Sequence, residues 1–487
     1  MKGNKIKAFK CLVLGLAMFL LGIGANFTAK ADSSLQAVKE KGVLTVATSP
    51  DYPPFEFQVN KNSHSEDVGM DIEIAKQMAK DMGVKLKLKN MDFSSLLVAV
   101  ETGKADMAIG GINPTPEREQ NATFSKIYYS GGQSFLVKKA DADKFKNQAS
   151  LSGQKVGTQT GSMQSQLAQK NLTNSKLTTM DKTPDLILAL KTNKLSAVGV
   201  EKPVAEAYVK NDSELKMINS DYKIDKKDVG AAIAFKKGND SLAGAANQTI
   251  DKIHKQDKIP GYIEKAGKYL KVNTANTSML HYWKFFFNGL KATLLISVLA
   301  VIGGIILGII LALMKISKFK ILSWPAISYV EVVRGTPMMV QVLLIYFGLG
   351  VLINIPALLA GIIAVTLNSA AYVCEIIRGG INSVEKGQGE ATRSLGLSQV
   401  DSFRYVILPQ AFKNIWPALG NEFISVIKES SIVSIIGVTD LVYELNVVRA
   451  DTYRGVAPIV VVMVIYFLLT FLLTRGLNYL EGKMKHD

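Results

Sequence analysis

Two kinds of patterning divide this chain. From Asp32 to about Lys271, short stretches of alternating apolar and polar residues take turns with stretches whose apolar positions recur every three or four residues. "GVLTVATSPDYPPFEF" alternates as a strand does and then turns at Pro50 and Pro53. "GMDIEIAKQMAKDMG" sets Ile72, Ala75, Ala79 and Met82 on one helical face, with Gly83 as its stop. Strand-helix alternation of this kind predicts an α/β domain of parallel sheets flanked by helices, with ligands at the strand carboxyl ends. From Trp283 onward the pattern changes to long apolar runs, near 284–314, 336–353, 355–378, 416–437 and 456–474. Runs of this length predict an all-α polytopic membrane domain with five transmembrane helices.

Residues 1–31 fit neither half. "MKGNKIKAFK" is basic, "CLVLGLAMFLLGIG" is a short apolar core and "TAKA" ends in small residues, which predicts a secretory signal peptide, cut after Ala31 or kept as an anchor. Either outcome places the following domain outside the cell. Cys374 is then the one cysteine of the mature chain, so no disulfide framework is expected. His64, His254, His281 and His486 are scattered without metal-ligand spacing, and neither a metal nor a cofactor is expected. The formal net charge of +16 is assigned to loop lysines and arginines and to a solvated outer surface, since a secreted domain on a membrane anchor does not meet nucleic acid. Lys315, Lys318 and Lys320, then Arg378, Lys386, Arg393, Arg404 and Lys413, then Arg475, Lys483 and Lys485 all fall on one side of the five runs. Only Arg449 and Arg454 fall on the other. The positive-inside rule therefore predicts the binding domain extracellular and the C-terminus cytoplasmic in a multi-pass protein of the cell membrane.

Glu375, Glu422, Lys428 and Glu429 lie within or at the ends of apolar runs, where ionisable groups face partners, a cavity or the water at a span end. Gly304 and Gly308 make a GxxxG pair that permits close helix approach, a spacing that chance also produces in a glycine-rich span. Between the third and fourth runs lies the charged segment "EATRSLGLSQVDSFRYVILPQ", 390–410. It reads as a short helix, a bend at Gly396 and a second segment ending at Pro409, forming a knob suited to a groove on a cytoplasmic partner.

That segment resembles the EAA loop of ABC importer permeases, through Glu390, Ala391, Gly396, Leu408 and Pro409, with Thr392 in place of the usual second alanine. "YVEVVRGTPMMVQVLLIYFGL" and "AAYVCEIIRGGINSVEKGQGEA" resemble the polar amino acid branch of the same permeases. The resemblance implies that about 386–412 couples to an ATPase. No G-x-x-x-x-G-K-[ST] loop occurs in the chain, so the ATPase is expected to be a separate protein and this chain a transport subunit, not an enzyme.

The outer half, through "GVLTVATSPDYPPFEF", "MDFSSLLVAVETGKADMAIGGINPTPERE" and "KVGTQTGS", is similar to periplasmic-type binding proteins for polar amino acids. This implies a two-lobed type II domain whose lobes are joined by two crossing strands, near 132–140 and 220–235, and close on ligand like a hinge. An Arg fork suits an α-carboxylate, and Arg118 stands at the family's position for it. Gly111 and Asn113, and Gln159, Gly161, Ser162 and Met163, are expected to complete the anion site. Glu201 stands where the family has Asp as acceptor for the α-ammonium. Tyr52 and Phe93 match positions that sandwich the ligand. Ser49 stands where relatives for basic amino acids or glutamine often place Asp, which weakens a cationic assignment without excluding it, since Asp51 and Glu56 are nearby in sequence, and the side-chain preference stays open.

The organisation expected is a signal peptide 1–31, an amino acid-binding domain 32–270, a linker 271–282 and a permease domain 283–487. The function expected is capture of a polar amino acid, glutamine-like or basic, and its passage through a homodimeric permease in the lipid bilayer, driven by the separate ATPase. An amino acid-gated channel or a membrane sensor would use the same outer fold.

Overall fold

The computed structural model describes residues 32–61, 64–224, 230–272, 278–452 and 456–486. The signal-peptide assignment falls on 1–31, outside the described residues. Among the described residues the binding half carries thirteen strands: β1 (Val43–Thr48), β2 (Asp51–Tyr52), β3 (Glu56–Lys61), β4 (His64–Val68), β5 (Lys85–Asn90), β6 (Met107–Ala108), β7 (Ala122–Phe124), β8 (Gln133–Lys138), β9 (Lys155–Gln159), β10 (Lys176–Met180), β11 (Ala197–Glu201), β12 (Leu215–Asn219) and β13 (Ala234–Lys236). They form one five-stranded sheet in the order β5-β1-β6-β13-β7, another in the order β10-β9-β11-β8-β12, and a small β2-β3-β4 meander. Each large sheet is the core of one lobe. Leu44 and Val46 of β1 and Phe235 of β13 are fully buried, each worth about 1.5–3 kcal/mol of burial.

The sheets are mixed, whereas strand-helix alternation predicts parallel ones. β1 runs parallel to β5 and β6, and β9 to β10 and β11, but β13 pairs antiparallel with β6, and β8 with β11. The reason is the route of the chain. β8 and β13 are the first strands after each crossing between lobes, so they enter their sheets from the hinge end. The two crossing segments meet at an antiparallel bridge between Tyr129 and Ala231. The helix Met70–Met82 buries Ile72, Ala75, Ala79 and Met82, the face its periodicity predicts, and Gly83 ends it at φ +71°.

The last helix of the binding half, Lys258–Val272, runs two residues into the expected linker, and a turn at Met279–Tyr282 leads into the first membrane helix, Trp283–Ile316. Among the described residues three helical segments are long and apolar enough to cross a membrane, Met279–Ile316, Ala357–Asn382 and Val456–Gly482; two bent pairs raise the number to five if each pair is one span. The run at 336–353 does not form a simple span. A helix Lys320–Gly335 precedes it, the chain bends by 112°, and Met338–Gly348 follows. Pro337 explains the break, because it offers no N–H and holds Thr336 extended at φ −121°, ψ 146°. The run at 416–437 likewise belongs to a longer stretch, Gln399–Ile436, bent by 55° against Leu441–Arg449.

Gly304 and Gly308 lie at a close contact between two membrane helices. A Cβ on Gly304 would sit 2.9 Å from Ser369 Oγ, and one on Gly308 2.6 Å from Val373 Cγ1. The missing side chains let the helix Trp283–Ile316 lie directly against Ala357–Asn382.

Candidate functional site

The cleft between the lobes is built from the carboxyl ends of strands. Ser49 follows β1, Gly111 lies just beyond β6, and Gln159 and Glu201 end β9 and β11. Side chains from both lobes meet there. Tyr52, of the first lobe, accepts a hydrogen bond through its Oη from the Glu201 N–H of the second, at 3.0 Å. Asn113 donates through Nδ2 to Glu201 Oε1 at 3.1 Å and to the Gly230 carbonyl at 2.9 Å. Arg118, on the short helix Pro116–Asn121, donates to the Asn113 carbonyl at 2.7 Å and across the cleft to the Gly161 carbonyl at 2.8 Å. Its guanidinium lies 5.6 Å from the centre of the Phe93 ring. Lys182 of the second lobe pairs with Asp92 of the first at 2.7 Å. The cleft is closed.

Gly111 has φ +58°, a left-handed conformation that glycine adopts without strain, and it packs beside the Tyr52 ring. Its N–H donates to Asp71 Oδ2 at 3.0 Å. Ser162 caps the helix Met163–Asn171 by accepting from the Ser165 N–H at 3.2 Å and donates to the Gln159 carbonyl. Met163 is therefore the first helical residue, at a helix end whose leading N–H groups lack intrahelical acceptors and suit an anion. The Gln159 side chain is engaged by the Asp181 carbonyl at 3.1 Å. Ser49 Oγ lies 3.5 Å from Asp51 Oδ1.

Carboxyl groups dominate the electrostatics. Burial pushes Glu201 up to about 8, against the hydrogen bond from Asn113. Burial raises Asp51 to about 7, with Lys182 opposing the rise. Asp71 is raised by burial to about 6, although Tyr128 Oη and the Gly111 N–H both donate to it. Burial, and then the neighbouring Asp71, hold Glu56 well above the ordinary carboxylate range. Apart from that neighbour its oxygens have no hydrogen-bond partner. Arg118 is lowered by burial to about 10 and stays cationic near neutral pH. Five carboxyls, Asp51, Glu56, Asp71, Asp92 and Glu201, thus lie in and beneath a cleft whose facing cations are Arg118 and Lys182, the latter paired with Asp92.

Of the residues singled out in the sequence, Ser49, Tyr52, Phe93, Gly111, Asn113, Arg118, Gly161 and Glu201 converge on the cleft, while Ser162 and Gln159 shape its second-lobe wall. Asp71, Tyr128, Asp92 and Lys182 were not singled out. Asp71 reads in the sequence as a first-turn helix acid in water, since nothing local marks Gly111 and Tyr128 as its partners.

The charged segment of the membrane half forms two limbs. The helix Lys386–Ser394 ends at a turn where Gly396 has φ +83°, and Gln399–Ser402 continues through a π-helical turn, Phe403–Ile407, into Leu408–Glu429. The second limb therefore does not end at Pro409. The wide turn upstream accommodates a ring that brings no N–H. The Thr392 hydroxyl, where an alanine was expected, bonds Ser402 Oγ and ties the limbs together. Leu395, Val400 and Tyr405 are 82%, 73% and 64% exposed and form an apolar tip. Glu390 and Ala391 lie exposed on the first limb, and Leu408 and Pro409 are exposed at the start of the long helix.

Residues 44–268 match the bacterial extracellular solute-binding proteins, family 3, and residues 304–486 match the binding-protein-dependent transport system inner membrane component. The chain is 44% identical over 205 residues to an arginine transport system permease protein of Bacillus subtilis, covering 42% of this chain and 94% of that one. It is 38% identical over 200 residues to the glutamine transport system permease protein of Escherichia coli, covering 40% and 91%. Among solved structures, a substrate-binding protein of an amino acid ABC transporter from Streptococcus pneumoniae, bound to L-arginine, is 35% identical with a TM-score of 0.47, covering 48% of this chain and 98% of that one.

Proposed function

The chain belongs to the binding-protein-dependent inner membrane components of amino acid ABC importers and carries a family 3 solute-binding domain on the same polypeptide; from that premise we propose that its cleft captures a basic amino acid outside the cell and delivers it to the permease half below. As in its relatives, the work of ATP hydrolysis belongs to a separate component, and the family leaves a channel or a sensor without support.

The observation that carries the reading is the opposition of Arg118 and Glu201 in one closed cleft. Arg118 would exchange its carbonyl partners for the ligand α-carboxylate, joined by the leading N–H groups of the Met163–Asn171 helix. Glu201 would accept the α-ammonium, and Tyr52 and Phe93 would flank the ligand. The side chain then extends toward Ser49, Asp51 and the buried pair Glu56 and Asp71. A guanidinium or ammonium there would ionise carboxyls that are neutral when alone. An amide would not, which is why a basic side chain is favoured over the glutamine-like one that several relatives' names suggest.

In this reading the binding half lies outside. Its contacts with the membrane half, Lys104 to the Ile355 carbonyl and Gln58 to Tyr443, involve the loops that the lysine and arginine distribution assigns to that side. The path across the bilayer forms between two copies of the chain, and the exposed tip at 395–405 is gripped by the ATPase. Calorimetric titration of the purified chain with L-arginine, L-lysine, L-histidine and L-glutamine tests the assignment. Tightest binding by a basic amino acid is expected; binding of L-glutamine alone would reassign the side-chain subsite, and no binding by any of the four would overturn the reading.

A further inference from the structure

One carboxylate of the membrane half is shared by three cations from three helices. Lys315 lies in the last turn of Trp283–Ile316 and Arg334 in the last turn of Lys320–Gly335, while Glu375 and Arg378 belong to Ala357–Asn382. Glu375 Oε1 accepts from Lys315 Nζ, and its Oε2 accepts from Arg378 Nε at 3.2 Å and Nη2 at 2.8 Å. Arg334 Nη1 stops 3.7 Å from the same Oε2, beyond hydrogen-bond reach. Its guanidinium lies 5.4 Å from the centre of the Tyr372 ring and donates no hydrogen bond among the described residues. The nearby Glu331 is exposed and forms no ion pair with any of the three among those residues.

A cation in the last turn of a helix is favourable by itself and calls for no ligand. Three of them against one carboxylate leave two positive charges without a partner. Their surroundings point to what supplies the missing anion. Leu313, Ile316 and Val332, which flank Lys315 and Arg334 along the chain, are exposed apolar side chains, a surface that suits hydrocarbon. Lys318 and Lys320 follow at the turn between the two helices, both exposed, and the distribution of lysine and arginine assigns this end of the helices to the cytoplasmic face. The excess cations therefore stand where a lipid-facing surface meets the headgroup layer. A guanidinium fork with free N–H groups matches a phosphate, to which it can donate two parallel bonds. The side chains of Arg334 and Arg378 are 44% and 39% exposed, so a headgroup reaches both without separating the helices.

We propose that Lys315, Arg334 and Arg378 form a site for the phosphate of an anionic phospholipid in the cytoplasmic leaflet, whose acyl chains lie against Leu313, Ile316 and Val332. Basic pockets between membrane helices on this side recognise such headgroups. Arg334, the cation Glu375 serves least, is the first to be claimed. Glu375 competes with the phosphate for the other two.

The test uses the purified full chain, delipidated in detergent and titrated with phosphatidylglycerol or with phosphatidylcholine of the same acyl chains, bound lipid being counted by mass spectrometry of the intact complex. The parent should retain phosphatidylglycerol in preference to phosphatidylcholine. Arg334→Ala should weaken phosphatidylglycerol binding about fivefold, the usual effect of one basic residue at an anionic headgroup, and leave phosphatidylcholine retention and melting temperature as in the parent. Arg334→Lys should recover most of the loss. Glu375→Gln should tighten phosphatidylglycerol binding, which a carboxylate that merely ties helices together would not do. Equal binding of the two lipids by the parent, or equal phosphatidylglycerol binding by the parent and Arg334→Ala, would overturn the proposal. Release of the lipid by millimolar inorganic phosphate would overturn the lipid assignment in favour of free phosphate. If Arg334→Ala does not fold, Glu375→Gln decides: tighter phosphatidylglycerol binding supports the site, and unchanged or weaker binding overturns it.

Discussion

Arg118 spends its guanidinium on two backbone carbonyls from opposite lobes, a weak use of a group whose planar fork matches a carboxylate. Arg118→Ala should reduce amino acid affinity roughly 30- to 5000-fold, the about 2–5 kcal/mol typical of leaving a buried charge unpaired; a calorimetric loss under threefold would remove Arg118 from the site. The buried carboxyls make a second prediction at this scale. Asp71, Asp51 and Glu201 are raised to about 6, 7 and 8. Their contribution to the ligand-free fold is full below the ordinary carboxylate range and is lost as pH rises through 6 to 8. A cationic ligand reverses this, because it binds the ionised forms. Melting temperature without ligand should fall from pH 5 to pH 8, while affinity for L-arginine rises over the same interval with release of protons to the buffer. A flat affinity profile would show that these carboxyls do not face the ligand. The motifs around Arg118 and Glu201 mark both in the sequence, and the fold brings both to the cleft. Asp71 is not marked there, since its partners Gly111 and Tyr128 are brought to it only by the fold.

At the scale of elements, the segment 386–410 is two limbs set by one residue in a left-handed conformation, Gly396 at φ +83° with open space around it. Gly396→Val meets no clash but suffers backbone strain of about 1–3 kcal/mol, which the turn can relieve by swinging the exposed tip away from its partner. Ligand affinity should stay unchanged and ligand-stimulated ATP hydrolysis should fall at least tenfold with the partner ATPase present. Unaltered stimulation would reduce the segment to a connector. The limbs and their bend were readable from "EATRSLGLSQ". The continuation past Pro409 was not, because a proline reads locally as a stop and only the π-helical turn at 403–407 makes room for it. What the run at 336–353 did not disclose is the bend at its start. Its apolar length suggests one span, and Thr336 and Pro337 at its head set it at 112° to the helix Lys320–Gly335, with which it can form a single bent span.

For the molecule as a whole, hydrophobic patterning separates the two halves correctly, and strand-helix alternation gives the α/β class. What patterning leaves out is long-range: the antiparallel entry of β8 and β13 and the seating of the binding half on the Leu441–Thr452 helix. These depend on where the chain crosses and returns, and local periodicity does not carry that information. The central claim is that a ligand captured in the cleft crosses the membrane through this same chain at the cost of ATP hydrolysed by another protein. The direct measurement is uptake of radiolabelled L-arginine into proteoliposomes holding the purified chain with its binding half outside and the partner ATPase with ATP enclosed. The account predicts concentrative uptake that requires enclosed ATP and disappears in Arg118→Ala. Uptake that proceeds equally without ATP, or that persists in Arg118→Ala, would contradict it.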